Sequence, residues 1–206
     1  VTRRLVIAMG TALAMAIPTA RAVAQRVAAD SARGALPPAG YGTLKRDDVA
    51  IIVQSQGLTI RAIPLDESVL RLLAPDSYRT LRALRESKRK ALDAAATRLG
   101  IPRVAAWFVE YFNVEAGEAR YDAYDLQLRS AGRDFRPLDV YPITPGFGDG
   151  RLGQRQRMSA VYAFDPAVDL TQRLILTAAS QQSTAWDDDL LARLSAERAA
   201  VWGRAK

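Results

Sequence analysis

The sequence has no cysteine and no histidine in 206 residues. Lacking cysteine, it has no disulfides, no thiolate nucleophile and no cysteine to carry a lipid anchor. Lacking histidine, it is without the commonest general base near neutral pH, and without every His-dependent triad or His-containing metal site. Aromatic residues are sparse, at 7%. No segment repeats with a period in the solenoid range, which excludes a repeat array. The apolar run Leu5–Ile17 has 13 residues, well short of the roughly 20 that span a bilayer as a helix.

That run has a different use. Thr2-Arg3-Arg4 precedes it, and Ala20-Arg21-Ala22 and Ala22-Val23-Ala24 follow, with small residues where a signal peptidase needs them. Residues 1–24 are therefore expected to be a cleavable signal peptide, cut after Ala24. Val1 in place of Met reads as a non-ATG start codon of a bacterial gene. The expected compartment is periplasmic or secreted, with no transmembrane segment in the mature chain. Cleavage would remove Arg3, Arg4 and Arg21, leaving 26 basic and 22 acidic side chains and a net charge of +4 rather than +7. The excess is modest and partly reflects an Ala- and Arg-rich composition. Residues 25–46 contain Pro37-Pro38 and Gly40 and read as a flexible linker. Residues 47–206 are enough for one domain with a core of its own.

Period-2 patterning dominates that domain. Ala50–Gln54 and Leu58–Pro64, joined through Ser55-Gln56-Gly57, read as a hairpin. Glu67–Ala74 is a candidate third strand of mixed pattern. Val104–Asn113 is apolar on both parities, as expected of a central strand covered on both faces. Trp107 and Tyr111 are read there as packing residues. Tyr124, Leu126 and Leu128 alternate with polar residues, Ala131-Gly132-Arg133-Asp134 makes a turn, and Phe135 begins the return. Phe135 and Leu138 have opposite parity around Pro137, predicting a bulge or an edge position. Met158, Ala160, Tyr162 and Phe164 share a face of Arg155–Phe164, and Arg173–Ala179 is read as the last strand, followed by a polar connector, Ser180–Thr184.

Two segments change to helical period. Over 76–99, Tyr78, Leu81, Leu84, Leu92, Ala95 and Leu99 fall near one face, with Pro75 at the start and Gly100 at the stop. The expected place for this helix is over the second face of the central strand. Its other face carries Arg79, Arg82, Arg85 and Arg89, with Lys88 and Lys90 beside them. These four arginines are either a solvated surface or a patch for an anionic envelope component. Nucleic acid is not expected, because no aromatic residues are interleaved with the basic run. The second helix, about 187–203, begins at Asp187-Asp188-Asp189, where carboxylates oppose the helix dipole.

Catalytic motifs are not found. Gly146-Phe147-Gly148-Asp149-Gly150 is followed by a strand, not a helix, and so reads as a hairpin loop rather than a phosphate cradle, with Phe147 as a candidate exposed contact. Asp187-Asp188-Asp189 lacks the alternating ligands of a calcium loop, and no metal site or cofactor is expected. Glu110 interrupts an apolar parity, and it and Asp125 are isolated carboxylates with no partner identified. Ser87-Lys88 lacks the spacing of a Ser–Lys nucleophile.

Tyr124–Leu128, the turn and return through Leu138, and Met158–Phe164 ending in Phe164-Asp165-Pro166 together resemble secreted bacterial immunoglobulin-like domains of unknown function. The resemblance spans about Val104 to Ala179. It implies an antiparallel β-sandwich of about seven to eight strands, here with an inserted helix and a C-terminal helix, and it carries no site residues. The expected function is a non-catalytic, envelope-associated binding module. The alternatives are an accessory subunit that docks through its C-terminal helix, with Leu194 and Trp202 exposed, or a carboxylate-dependent hydrolase.

Overall fold

A computed structural model of the chain describes residues 35–55 and 57–206. The expected signal peptide and the first part of the expected linker lie outside the described residues. The chain runs β1 (Ile51–Ser55), β2 (Leu58–Pro64), α1 (Glu67–Leu70), α2 (Pro75–Leu99), β3 (Ala105–Asn113), β4 (Ala119–Arg120), β5 (Leu126–Ser130), β6 (Arg133–Phe135) and β7 (Asp139–Pro142). It continues through β8 (Arg151–Leu152), β9 (Arg157–Phe164), β10 (Leu174–Ala178), β11 (Gln181–Trp186) and α3 (Asp188–Arg204). The protein is mostly β. Of the 11 strands among the described residues, β4 and β8 have two residues each, too few to leave a period in the sequence.

The strands form a five-stranded sheet, β1-β2-β3-β9-β7, a four-stranded sheet, β11-β10-β5-β6, and a small ribbon, β4-β8. All the strand pairings are antiparallel. The faces of the two larger sheets meet in one apolar core, an arrangement compatible with a β-sandwich. Ile60, Trp107, Val109, Tyr111, Ala160 and Tyr162 come from one sheet, and Leu126, Leu128, Leu174 and Leu176 from the other. Trp107 lies at the centre, 6.3 Å from Phe164 and 6.4 Å from Trp186 between ring centroids. At one edge the sheets are linked where the Ser55 hydroxyl donates to the Ala179 carbonyl, 3.3 Å. At the other, the chain passes directly from β6 to β7 through Pro137. The parity break around that proline is a change of sheet between two edge strands.

The second face of β3 carries Ala106 and Phe108, and α2 covers it as expected. The Tyr141 hydroxyl donates to the Ala91 carbonyl (3.1 Å), Lys88 to the Pro142 carbonyl (2.7 Å), and Arg98 to Asp139 (2.8 Å). Tyr78, Leu81, Leu92, Ala95 and Ala96 are buried beneath the helix, whereas Leu99 is exposed. Gly100 ends α2 at φ +65°, a left-handed conformation that favours glycine, and its N–H closes the last turn. β9 is buried on both parities, Val161 and Ala163 as well as Ala160 and Tyr162, because the helix covers this strand too.

Four expectations are corrected. Glu67–Ala74 is not a strand. Asp66 caps a helical turn by accepting from the Ser68 amide at 2.9 Å, and Leu72 and Leu73 are buried in the turns that follow. Its mixed apolar pattern is that of a wrapped segment with no single wet side. Ser180–Thr184 is not a connector but most of β11. Ala179 and Ser180 turn the chain at φ +48° and +61°, a two-residue hairpin made without glycine, so its usual sequence signal is missing. Trp186 is the last residue of that strand. Tyr124 is exposed, because an Asp122 turn precedes the strand and β5 begins only at Leu126. The end of the expected linker is also tied to the domain: the Leu44 amide donates to the Leu72 carbonyl at 3.1 Å, and the Ala74 amide to the Leu44 carbonyl at 2.8 Å. Gly42 is held so close that an added Cβ would lie 2.2 Å from the Leu72 backbone. No helix among the described residues is long and apolar enough to cross a membrane.

Candidate functional site

The arginine stripe lies on the outer side of α2, where the helical period places it once the apolar stripe faces the sheet. Each of the four arginines has a carboxylate near it. Arg79 pairs with Asp76 one turn back. Arg82 and Arg85 both approach Glu67 of α1, each at 4.0 Å, and the same carboxylate accepts from Arg71 at 2.6 Å. One negative charge is thus shared by three guanidinium groups, and the cluster stays positive. Arg82 also donates to the Tyr78 hydroxyl at 3.1 Å and lies over that ring. Arg89 sits between Glu86 and Asp93, at 3.6 and 3.7 Å. These partly exposed pairs contribute little to stability, which leaves their guanidinium groups free to exchange partners.

The structure divides the stripe. Arg85 and Arg89 line a groove of about 290 Å³ between α2 and the segment entering β3, closed at its base by Leu92, Val104 and Ala106. Glu86 and Asp93 line it as well. Arg79 and Arg82 are not part of its lining. The groove gains a residue that the sequence reading missed, Arg103, which also joins Arg85 around a narrower cleft next to Pro64 and Val168. Arg103 has no carboxylate partner among the described residues. Its only sequence signal is its position directly after Ile101-Pro102, which carries the chain off the helix and back across it.

The other candidates have structural roles. Glu110 lies between Arg61 and Arg157, at 3.7 Å from each, on the part of the outer sheet face beyond the helix. Arg157 also stacks over Phe112, 4.9 Å from the ring centroid. Asp125 accepts the Ala179 amide at 3.2 Å, so the two carboxylates do not share a site. Asp187 caps α3 by accepting the Leu190 amide at 3.0 Å. Gly146 and Gly150, both at positive φ, bracket a 3-10 turn (Phe147–Asp149) that turns Phe147 into the core, 2% exposed, rather than outward as a contact. Among the described residues no group of three or more His, Cys, Asp or Glu side chains is placed to hold a metal ion.

Among the described residues, four tyrosines have raised phenol pKa values. Tyr111 and Tyr162 hydrogen-bond to each other at 2.9 Å in the core, and burial pushes both well above the ordinary phenol value. Burial raises Tyr121 to about 12, with Asp149 adding to the effect. Tyr141 also rises to about 12, through burial and then its hydrogen bond to Asp139. Burial opposes ionisation of Asp139, but Arg98, the Val140 amide and the Tyr141 hydroxyl together hold its carboxyl below the usual range. None of these groups lies in the arginine groove.

Comparison with protein-family models, with curated proteins and with solved structures gave no match.

Proposed function

We propose that the protein is an exported, non-catalytic binding module of the bacterial envelope, and that it holds an anionic envelope component in the groove of Arg85, Arg89 and Arg103. The observation that carries this reading is the meeting of Arg103 with Arg85 and Arg89 around one groove, three basic groups against the two carboxylates in its lining. A guanidinium group presents its donors in a planar fork suited to phosphate and carboxylate oxygens. The immunoglobulin-like sandwich belongs to the same proposal. It is supported by sheets that place strands distant in sequence side by side, β3 beside β9 and β5 beside β10. The expected signal peptide supports export.

The test is retention on phosphatidylglycerol vesicles. Reversing three basic charges near such a surface removes about 1 kcal/mol each, so Arg85→Glu/Arg89→Glu/Arg103→Glu should bind at least about 100-fold more weakly than the unaltered protein. The control Arg79→Glu/Arg82→Glu carries two reversals outside the groove and should lose distinctly less. Equal loss in the two variants would mean general charge rather than the groove, and no loss in either removes the proposal.

A second reading, an accessory subunit docking through α3, is favoured by one observation. Trp202 is 37% exposed on that helix. Leu194, which that reading also expected at the surface, is buried.

A further inference from the structure

At the end of the core nearest the Gly146–Gly150 loop, a second pocket of about 350 Å³ opens to solvent. Its walls include Tyr121, Tyr124, Phe147, Val140 and Pro142, and the charged side chain among them is Asp122. It shares no residue with the arginine groove. Tyr121 is fixed in place: it stacks on Tyr111 with centroids 4.3 Å apart, lies 5.3 Å from Phe147, and donates its hydroxyl to the Phe147 carbonyl at 2.5 Å. Tyr124 stands at the rim, 56% exposed, held by the turn in which Asp122 accepts its amide at 2.8 Å.

The chemistry of this lining selects a ligand class. A sugar needs several free hydrogen-bonding side chains around an aromatic platform. Here the Tyr121 hydroxyl is already committed to a carbonyl and one Asp122 oxygen to a backbone amide, which leaves only the Tyr124 hydroxyl and the second carboxylate oxygen. An anion would meet the Asp122 carboxylate and the negative faces of aromatic rings, with no basic side chain in the lining. Lys88 is not part of the lining, its ammonium group donating to the Pro142 carbonyl at 2.7 Å. Asp149 adds a second negative charge, close enough to Tyr121 to help raise its pKa. Aromatic faces with carboxylates beside them attract cations, and quaternary ammonium groups suit them best because their charge is spread over methyl groups that also gain from apolar contact. In a chain of net charge +7, this pocket has the opposite local character.

We propose that the pocket at Tyr121, Tyr124 and Asp122, backed by the buried Phe147, binds a small organic cation of the alkylammonium type. It is a second site, independent of the arginine groove and of any reading based on it.

The test compares choline with its neutral isostere, 3,3-dimethyl-1-butanol, titrated into the full chain and followed by calorimetry or ligand NMR. The two have nearly the same shape and apolar area, so a difference reports charge. Choline should saturate the protein, and the isostere should bind about tenfold more weakly, the size expected of a partly desolvated cation–π contact. Asp122→Asn keeps the oxygen that accepts the Tyr124 amide and removes the charge, so it should weaken choline and leave the isostere unchanged. Tyr124→Ala alters an exposed side chain, leaves the core intact, and should weaken choline several-fold. Three results would each overturn the proposal: equal affinity for choline and its isostere, no saturable choline binding, or choline affinity unchanged in both variants.

Discussion

Two hydroxyl groups, those of Tyr111 and Tyr162, are sealed against each other in the core at 2.9 Å, with their side chains 1% and 0% exposed. Removing one leaves the other a buried polar group without its partner, which costs about 1–3 kcal/mol, whereas removing both leaves a core with nothing to satisfy. Tyr111→Phe and Tyr162→Phe should therefore each destabilise the protein by about that amount, and the double variant by clearly less than the sum. Urea unfolding of the four proteins checks this, and strict additivity would show that the hydroxyls do not depend on each other. Residue-scale legibility was uneven. Trp107 was recognisable as a packing residue because its strand is apolar on both parities. Phe147 was not, since nothing in a glycine-rich loop says which way its one aromatic residue points. Glu110 was correctly singled out as anomalous, yet both its partners, Arg61 and Arg157, lie on other strands.

Helix α3 carries the clearest consequence at the scale of elements. Leu190, Leu194 and Val201 are buried, and the helix is tied back by Arg193 to the Asp48 carbonyl (3.0 Å) and by Glu197 to Thr43 (2.8 Å). Burying a side chain of this kind contributes about 1.5–3 kcal/mol, so the helix accounts for a large share of a typical domain's net stability. Deleting residues 187–206 should abolish cooperative thermal unfolding rather than release a folded body. A truncated protein that still melts cooperatively near the original temperature would make α3 an appendage. Elements with a strong local period were legible: α2, β3 and the β1–β2 hairpin; the turn expected over Ala131–Asp134 is shorter, because β6 already begins at Arg133. β11 was not, because an edge strand exposed along most of its length has no alternation to show.

For the whole molecule, the missing histidine becomes a pH profile. With no group of ordinary pKa near 6.5, stability should stay level between about pH 6 and 9. On the alkaline side, Tyr111, Tyr121, Tyr141 and Tyr162 all titrate above their ordinary value when folded, the second and third at about 12. A raised phenol keeps its proton when folded and loses it when unfolded. Its contribution is therefore complete below about pH 10 and is lost as the pH climbs from there towards the folded value. On the acid side, Asp134 and Asp188 are lowered by their arginine partners, Asp169 by Thr171, and Asp139 by Arg98 against its own burial. Their contribution is present above about pH 4 and disappears as the pH falls through the folded values. Urea midpoints across pH 3–11 should trace a plateau with two shoulders. A step between about pH 6 and 7 would contradict it.

The sequence by itself determined the β-rich class, the position and polarity of α2, and the need for a cover on the second face of β3. Each follows from the spacing of apolar side chains along one segment, which is a local property. Only the tertiary structure decided that the arginine stripe divides, with Arg85 and Arg89 joined by Arg103 in a groove and Arg79 and Arg82 left outside it. It likewise decided that Tyr121, Tyr124 and Phe147 converge on one pocket and that Gln181–Trp186 pairs with β10 as an edge strand. These arrangements depend on which distant segments the core draws together, and no period within a single segment encodes that.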